Sequence, residues 1–233
     1  MVNIEEENQE IFEEAENFAL WQYRSISKYV YGRVIEIGSG NGRITKLISE
    51  NRNVESVTGV DTNRRYIKNA NKLLRGKNIR FEYLDLSKEE IPKKYRNSFD
   101  VMVSINVLEH IKNDEEVLRK CRNLLKENGR AVILVPGIKF LYGNLDRGQN
   151  HFRRFSRGEL RGKMSRAGFR VEKVFAMNFF GTFSWLYQSR ILGLKIIRQN
   201  DVHIFDSFVP LFRFLECVPI PFGLSYIAVG RKE

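Results

Sequence analysis

Residues 34 to 42, Val34-Ile35-Glu36-Ile37-Gly38-Ser39-Gly40-Asn41-Gly42, constrain this chain more than any other stretch. An apolar run carrying one acid passes directly into three glycines spaced two apart. Such a run, bounded by glycine, reads as a buried parallel strand, and the pattern from Arg43 to Glu50 reads as the helix that follows. Glycines at a strand-to-helix turn permit positive φ and let a ligand approach the backbone closely. The turn therefore reads as a nucleotide-type cofactor loop, and its spacing narrows the cofactor. A dinucleotide fingerprint requires G-x-G-x-x-G. Gly38 and Gly40 fit it, but Arg43 stands at the third position and the extra glycine is Gly42. No Gly-Lys-Ser/Thr follows, which argues against a P-loop.

Further apolar runs predict strands at 33–37, 55–60, 79–83, 99–104, 130–135, 170–176 and 224–230. Helical patterns fall over 41–50, 63–75 and 113–126, and from Ser156 to about Ala167. Ser156 with Glu159 three residues on forms a capping-box signature. Residues 4–31 read as one helix, with Ile11, Phe12, Ala15, Phe18 and Ala19 at helical spacing. Strand–helix alternation predicts an α/β fold with a doubly wound, mostly parallel sheet that binds ligands at the carboxyl ends of its strands. One domain is expected: an N-terminal helical lid over 1–31, a cofactor-binding core over 32–177, a helical, aromatic-rich insertion over 178–222, and a last strand within 223–233.

The net charge is +11, unevenly placed. Residues 1–23 hold seven glutamates and no Lys or Arg, which leaves +18 on the remainder. A basic body suits an anionic partner or remains a solvated basic surface. No arginine-rich run or RNA-binding module is present, so nucleic acid is not the expected partner. Cys121 and Cys217 lack metal or redox spacing, and there is no secretory signal or 18-residue apolar run. A cytoplasmic protein without a bound metal is expected.

Asp61 closes the second strand, 19 residues after Gly42, where a carboxylate can accept bonds from both ribose hydroxyls or cap the next helix; Thr62 follows it. Asp85, followed by Leu86, stands after the third strand, where it can accept from an adenine amino group. The fourth strand runs into Ser104-Ile105-Asn106-Val107-Leu108-Glu109-His110. The glycine loop, the two acids and the Val-Leu-Glu-His segment, in this order, resemble class I S-adenosylmethionine (SAM)-dependent methyltransferases. The resemblance implies a Rossmann-like seven-stranded sheet with an antiparallel last strand. It implies that Gly38, Ser39, Gly40, Asn41, Gly42, Asn106 and Val107 hold the methionine part of SAM. It also implies that Glu36 orients the ammonium, and that Asp85 and Leu86 flank adenine. NAD-dependent reduction is disfavoured by Arg43. An RNA methyltransferase is disfavoured because Asn/Asp-Pro-Pro-aromatic is missing after strand four.

The acceptor side is read from residues 140–156, where polar and aromatic residues crowd a loop after the fifth strand. Its pattern, with Ala167-Gly168-Phe169 and Pro221-Phe222-Gly223, resembles a methyltransferase subgroup (type 11/12-like) often associated with sugar and cell-surface polysaccharide assembly. The expected reaction is methyl transfer to a small-molecule or glycosyl hydroxyl, the acceptor being anionic or lipid-linked. His151 is the candidate general base, a capping histidine being the alternative. Tyr142, Asp146, Arg153 and Arg154 are candidate acceptor-binding residues, with Arg–Asp pairing as the alternative. Trp21, Tyr23 and Arg24 form a lid or pack in the core. The basic, aromatic insertion leaves open a peripheral position at the inner membrane face, and a SAM-binding module without catalysis.

Overall fold

The computed structural model describes residues 4–218 and 220–233. Seven strands form one sheet: β1 (Gly32–Ile37), β2 (Val54–Asp61), β3 (Ile79–Tyr83), β4 (Phe99–Ile105), β5 (Leu125–Pro136), β6 (Phe169–Met177) and β7 (Ser225–Lys232). Their order is β3-β2-β1-β4-β5-β7-β6, and β7 runs antiparallel to both β5 and β6. The sequence-based expectation of a mostly parallel sheet with a reversed last strand therefore holds. The central strands are buried on both faces, with Val34, Ile35, Val101, Met102, Val103 and Ile133 at the core, which is why their sequences run apolar without alternation. The order reverses between β1 and β4, so their carboxyl ends open the crevice where such sheets take ligands.

Between β1 and β6 lie α3 (Arg43–Ser49), α4 (Arg64–Leu73), α5 (Asp114–Leu124), the one-turn α6 (Asn144–Gly148) and α7 (Arg157–Arg166). Ser156 caps α7 by accepting from the Glu159 N–H at 3.2 Å, but the Glu159 side chain turns to Lys139 at 3.0 Å. Only half of the expected capping box forms. The insertion after β6 contains α8 (Phe179–Leu186), a π-helical turn (Tyr187–Ile191) and α9 (Gln199–Leu215).

The single helix expected over 4–31 is two helices, α1 (Ile4–Glu13) and α2 (Glu16–Ile26), broken at Glu14-Ala15. Distant groups satisfy the backbone freed by the break. The Arg43 guanidinium donates to the carbonyls of Phe12, Glu13 and Ala15 at 2.8–3.3 Å. Asp206 of α9 accepts from the N–H groups of Asn17 at 3.1 Å and Phe18 at 2.8 Å, capping α2 from outside. The exchange is reciprocal. Pro210 inside α9 has no N–H for the Asp206 carbonyl, and the Asn17 side-chain amide donates to it at 3.2 Å instead.

Candidate functional site

The glycine loop is built on close contacts. Gly38 and Ser39 donate their N–H groups to the Val60 carbonyl at 2.8 and 3.0 Å, tying the loop to the end of β2. A Cβ on Gly38 would stand 2.3 Å from Val107 Cγ2, and its φ is +75°, so a side chain is excluded twice over. Gly42, with φ of +88°, is the N-cap of α3 and packs on Phe81 and Leu74. Asn106, at the tip of β4, also adopts a left-handed φ of 53°. Such strain in a non-glycine residue concentrates at functional sites.

These tips surround a cavity of about 610 Å³, within the range of small-molecule sites. Of the twelve residues expected to hold the cofactor, eleven line it: Glu36, Gly38, Ser39, Gly40, Asn41, Asp61, Thr62, Asp85, Leu86, Asn106 and Val107. Gly42 does not, being committed to the helix cap. Asp61 accepts from the Gly40 N–H and the Asn63 N–H at 2.8 Å each, one bond per oxygen. The Thr62 N–H also points at the carboxylate, which with about four acceptor positions keeps room for a further donor. The helix cap itself is Asn63, which accepts from the Arg65 N–H at 2.9 Å. Burial raises the Asp61 carboxyl above its ordinary range. Asp85 is held low despite burial by bonds from Ser87 and Lys88.

Glu36 is buried against Thr45, whose hydroxyl donates to it, and burial pushes its carboxyl up to about 8. A carboxylate with a raised folded-state pKa keeps a proton that the unfolded chain has lost. Stability therefore falls as pH rises from the unfolded value toward 8. Glu36→Gln removes this loss, so its stability gains on the wild type between about pH 5 and 8, by at most about 1.4 kcal/mol per pH unit. Thermal melts across that range check this, and a constant difference between the two proteins contradicts it.

The acceptor-side candidates separate sharply. His151 lines the cavity and is 8% exposed. Its Nδ1 lies 3.1 Å from Asp146 Oδ1. Asp146 is fully buried and also accepts from Arg154 Nε at 2.7 Å, the Gly143 N–H at 2.9 Å and Trp185 Nε1 at 3.3 Å. Although burial works against it, these donors hold the Asp146 carboxyl below its ordinary range. Arg154 is 2% exposed, donates its other arm to the Gly137 carbonyl at 3.1 Å and stacks over Trp185. Arg154 touches the cavity, but its guanidinium is engaged by the protein. Arg153 does not line the cavity and pairs with Asp114 at 3.0 Å. Tyr142 is also outside the lining and donates its hydroxyl to the His151 carbonyl at 2.9 Å.

Three further cavity residues bear on the chemistry: Glu109 and Gln22, to which sequence reasoning gave no role, and His110, which it read as structural or site-lining. Glu109 is fully buried, and neither carboxylate oxygen has a hydrogen-bond partner in the protein. Burial drives its carboxyl up to about 7, against the pull of His151 and Arg154. His110 stands edge-on to His151, ring centres 4.7 Å apart, and burial pushes its imidazole down to about 3. Ligand atoms of Glu109, His110 and His151 lie within 4.8 Å of one another, a spacing that three ligands of one ion can adopt. The third residue is Gln22, on α2, with Phe12 and Phe18 nearby on the wall. Of the two readings raised for Trp21, Tyr23 and Arg24, core packing holds for the aromatics, with Tyr23 packed against the core that contains Trp21. Trp21 is buried in the core, and none of these three lines the cavity. His203 pairs with Glu14 at 2.9 Å, away from these groups.

Comparisons with known proteins agree with the architecture. Residues 35–131 match a family described as a methyltransferase domain. The ubiquinone biosynthesis O-methyltransferase of Pseudomonas aeruginosa is 25% identical over 160 residues, which cover 63% of this chain and 68% of that relative. An S-adenosylmethionine-dependent methyltransferase from Mesorhizobium loti superposes with a TM-score of 0.64 at 17% identity, covering 92% of this chain and 98% of that one. The phosphoethanolamine N-methyltransferase 2 of Haemonchus contortus, in complex with S-adenosyl-L-methionine, gives 0.66 at 15% identity, covering 100% of this chain and 60% of that one.

Proposed function

We propose that this SAM-dependent methyltransferase, whose pattern resembles class I, methylates a hydroxyl oxygen of a small-molecule or glycosyl acceptor, with His151 as general base. The observation that carries this reading is His151 in the wall of the cavity that the glycine loop also lines, with the buried Asp146 behind it on Nδ1. The curated relatives carry the name O-methyltransferase, which favours oxygen over nitrogen.

The cavity suits the cofactor. Ser39 Oγ and Asn41 Oδ1 are buried there without partners, and Asp61 keeps acceptor capacity to spare. When bound, SAM supplies an electrophilic methyl group on sulfonium. Asp61 would accept bonds from the ribose hydroxyls, Glu36 would orient the ammonium, and Asp85 and Leu86 would border the adenine. Asp146 fixes the proton of His151 on Nδ1, which leaves Nε2 as the basic atom. Nε2 takes the acceptor hydroxyl proton as the oxygen attacks, and the Asp146 charge stabilises the imidazolium that results. Phe18, Trp185, Val202 and Phe205 give the cavity an apolar surface that would limit water beside the reacting groups.

A second reading is favoured by the Glu109–His110–His151 cluster. A divalent cation held there would acidify the acceptor hydroxyl directly. Transfer of a deuterated methyl group from labelled SAM to phenolic and sugar hydroxyls, with amines as controls, tests both readings. The base reading expects label on oxygen and full turnover after chelation. Loss of turnover on chelation, restored by added metal, establishes the second reading. Label on amines alone overturns both.

A further inference from the structure

The insertion after β6 has two faces of opposite purpose. Its inner face forms part of the cavity wall through Gly181, Ser184, Trp185 and Gln188, and through Val202 and Phe205 of α9. Its outer face is apolar and uncovered. Among the described residues, eleven of the sixteen exposed large hydrophobic side chains lie within residues 178–222. On α9, Ile204, Phe208, Leu211 and Leu215 recur at spacings of four, three and four, a continuous helical stripe, and Phe214 beside it is 74% exposed. The opposite stripe, Val202, Asp206 and Val209, is buried. From Ile204 to Leu215 the helix thus carries apolar side chains on an exposed face as well as on its buried one.

The patch is continuous across elements. Exposed Phe183 and Phe222 both pack on Phe179, with ring centres 5.1 and 5.0 Å away. Phe179 meets Phe180 at 5.4 Å, Phe180 stacks on Phe212 at 4.7 Å, and Phe212 reaches exposed Phe208 at 6.1 Å. The charges around it are biased. Asp206 is turned inward to cap α2, and Glu216 accepts from the N–H groups of Asn178 and Phe179 at 3.0 and 2.7 Å. Asp201 is the remaining carboxylate of the segment, against Arg190, Lys195, Arg198 and Arg213. Arg24 of α2 adds its charge beside Arg213.

We propose that this face, formed by α8, the π-helical turn and α9, docks on an anionic lipid bilayer surface. An apolar stripe on a segment that holds four arginines and lysines against three carboxylates, two of them engaged as caps, in a chain of net charge +11, is complementary to acidic headgroups above acyl chains. Among the described residues, no helix is long and apolar enough to cross a membrane. The contact is therefore a stripe lying in the interface.

Flotation of the full chain with phosphatidylcholine vesicles, with and without about a third phosphatidylglycerol, tests this. Binding is expected to the anionic vesicles, weakened by salt, and reduced at least about tenfold by Leu211→Ser with Phe214→Ser. Both substituted side chains are exposed and away from the cavity, so affinity for S-adenosylhomocysteine serves as the control for folding. Failure of the wild type to float with anionic vesicles overturns the proposal. So does a wild-type dimer in light scattering that the same substitutions convert to monomer, which would assign the face to a second copy.

Discussion

His151→Ala is expected to lower turnover by about 10²–10⁴ while leaving affinity for S-adenosylhomocysteine unchanged. The size follows from the geometry. Asp146 binds Nδ1 at 3.1 Å and is itself held by Arg154, the Gly143 N–H and Trp185, so the imidazole is fixed in one orientation. A base so held gains from position as well as basicity. Added imidazole should restore part of the lost rate, because the space vacated by the ring opens to the cavity. A purely structural histidine would show neither the rescue nor the split between binding and turnover. Full turnover in the variant excludes the base role.

The second large effect concerns stability. Arg154→Ala is expected to cost about 3–5 kcal/mol, because it leaves Asp146 buried and short of its closest cation. For a chain of this length that is roughly a 10 °C fall in melting temperature. Arg153→Ala, one residue away, is expected to cost about 1 kcal/mol or less. Arg153 is partly exposed, and its partner Asp114 keeps Lys163 at 2.7 Å. Melts of the two variants side by side check the contrast. Equal shifts contradict it.

The sequence treated these arginines as a pair, since adjacency in a loop says nothing about which one is swallowed by the core. The alternative raised from sequence, pairing with Asp146, applies to Arg154 alone. The strands were legible because a parallel sheet covered on both faces leaves near-continuous apolar runs. The reversed β7 was legible from the family resemblance, supported by a segment after residue 177 that reads as no clean crossover helix, although it holds α8 and α9. The break between α1 and α2 was not legible. It depends on Arg43 and Asp206, which lie 28 and 191 residues beyond Ala15, and local periodicity carries no trace of either. Arg43 is also the residue that spoils the dinucleotide fingerprint, so one substitution in the motif marks both a different cofactor loop and an anchor for the N-terminal wall. Gly42 looked like a ligand contact because its spacing matched Gly38 and Gly40, yet its freedom serves the α3 cap. Glu109 stood in plain view within Val-Leu-Glu-His. That its two oxygens lack partners is a fact of burial, which spacing cannot report.

The measurement that bears most directly on the account is calorimetric titration of S-adenosylhomocysteine into the wild type and Asp61→Ala. Asp61 stands where β2 meets the cavity, held by the Gly40 and Asn63 N–H groups with acceptor capacity to spare. Charge-assisted bonds to ribose contribute about 1.5–3 kcal/mol each, so losing them should weaken binding at least about tenfold. The account predicts one site per chain in the wild type and that weakening in the variant. Equal affinity in the two proteins would contradict it.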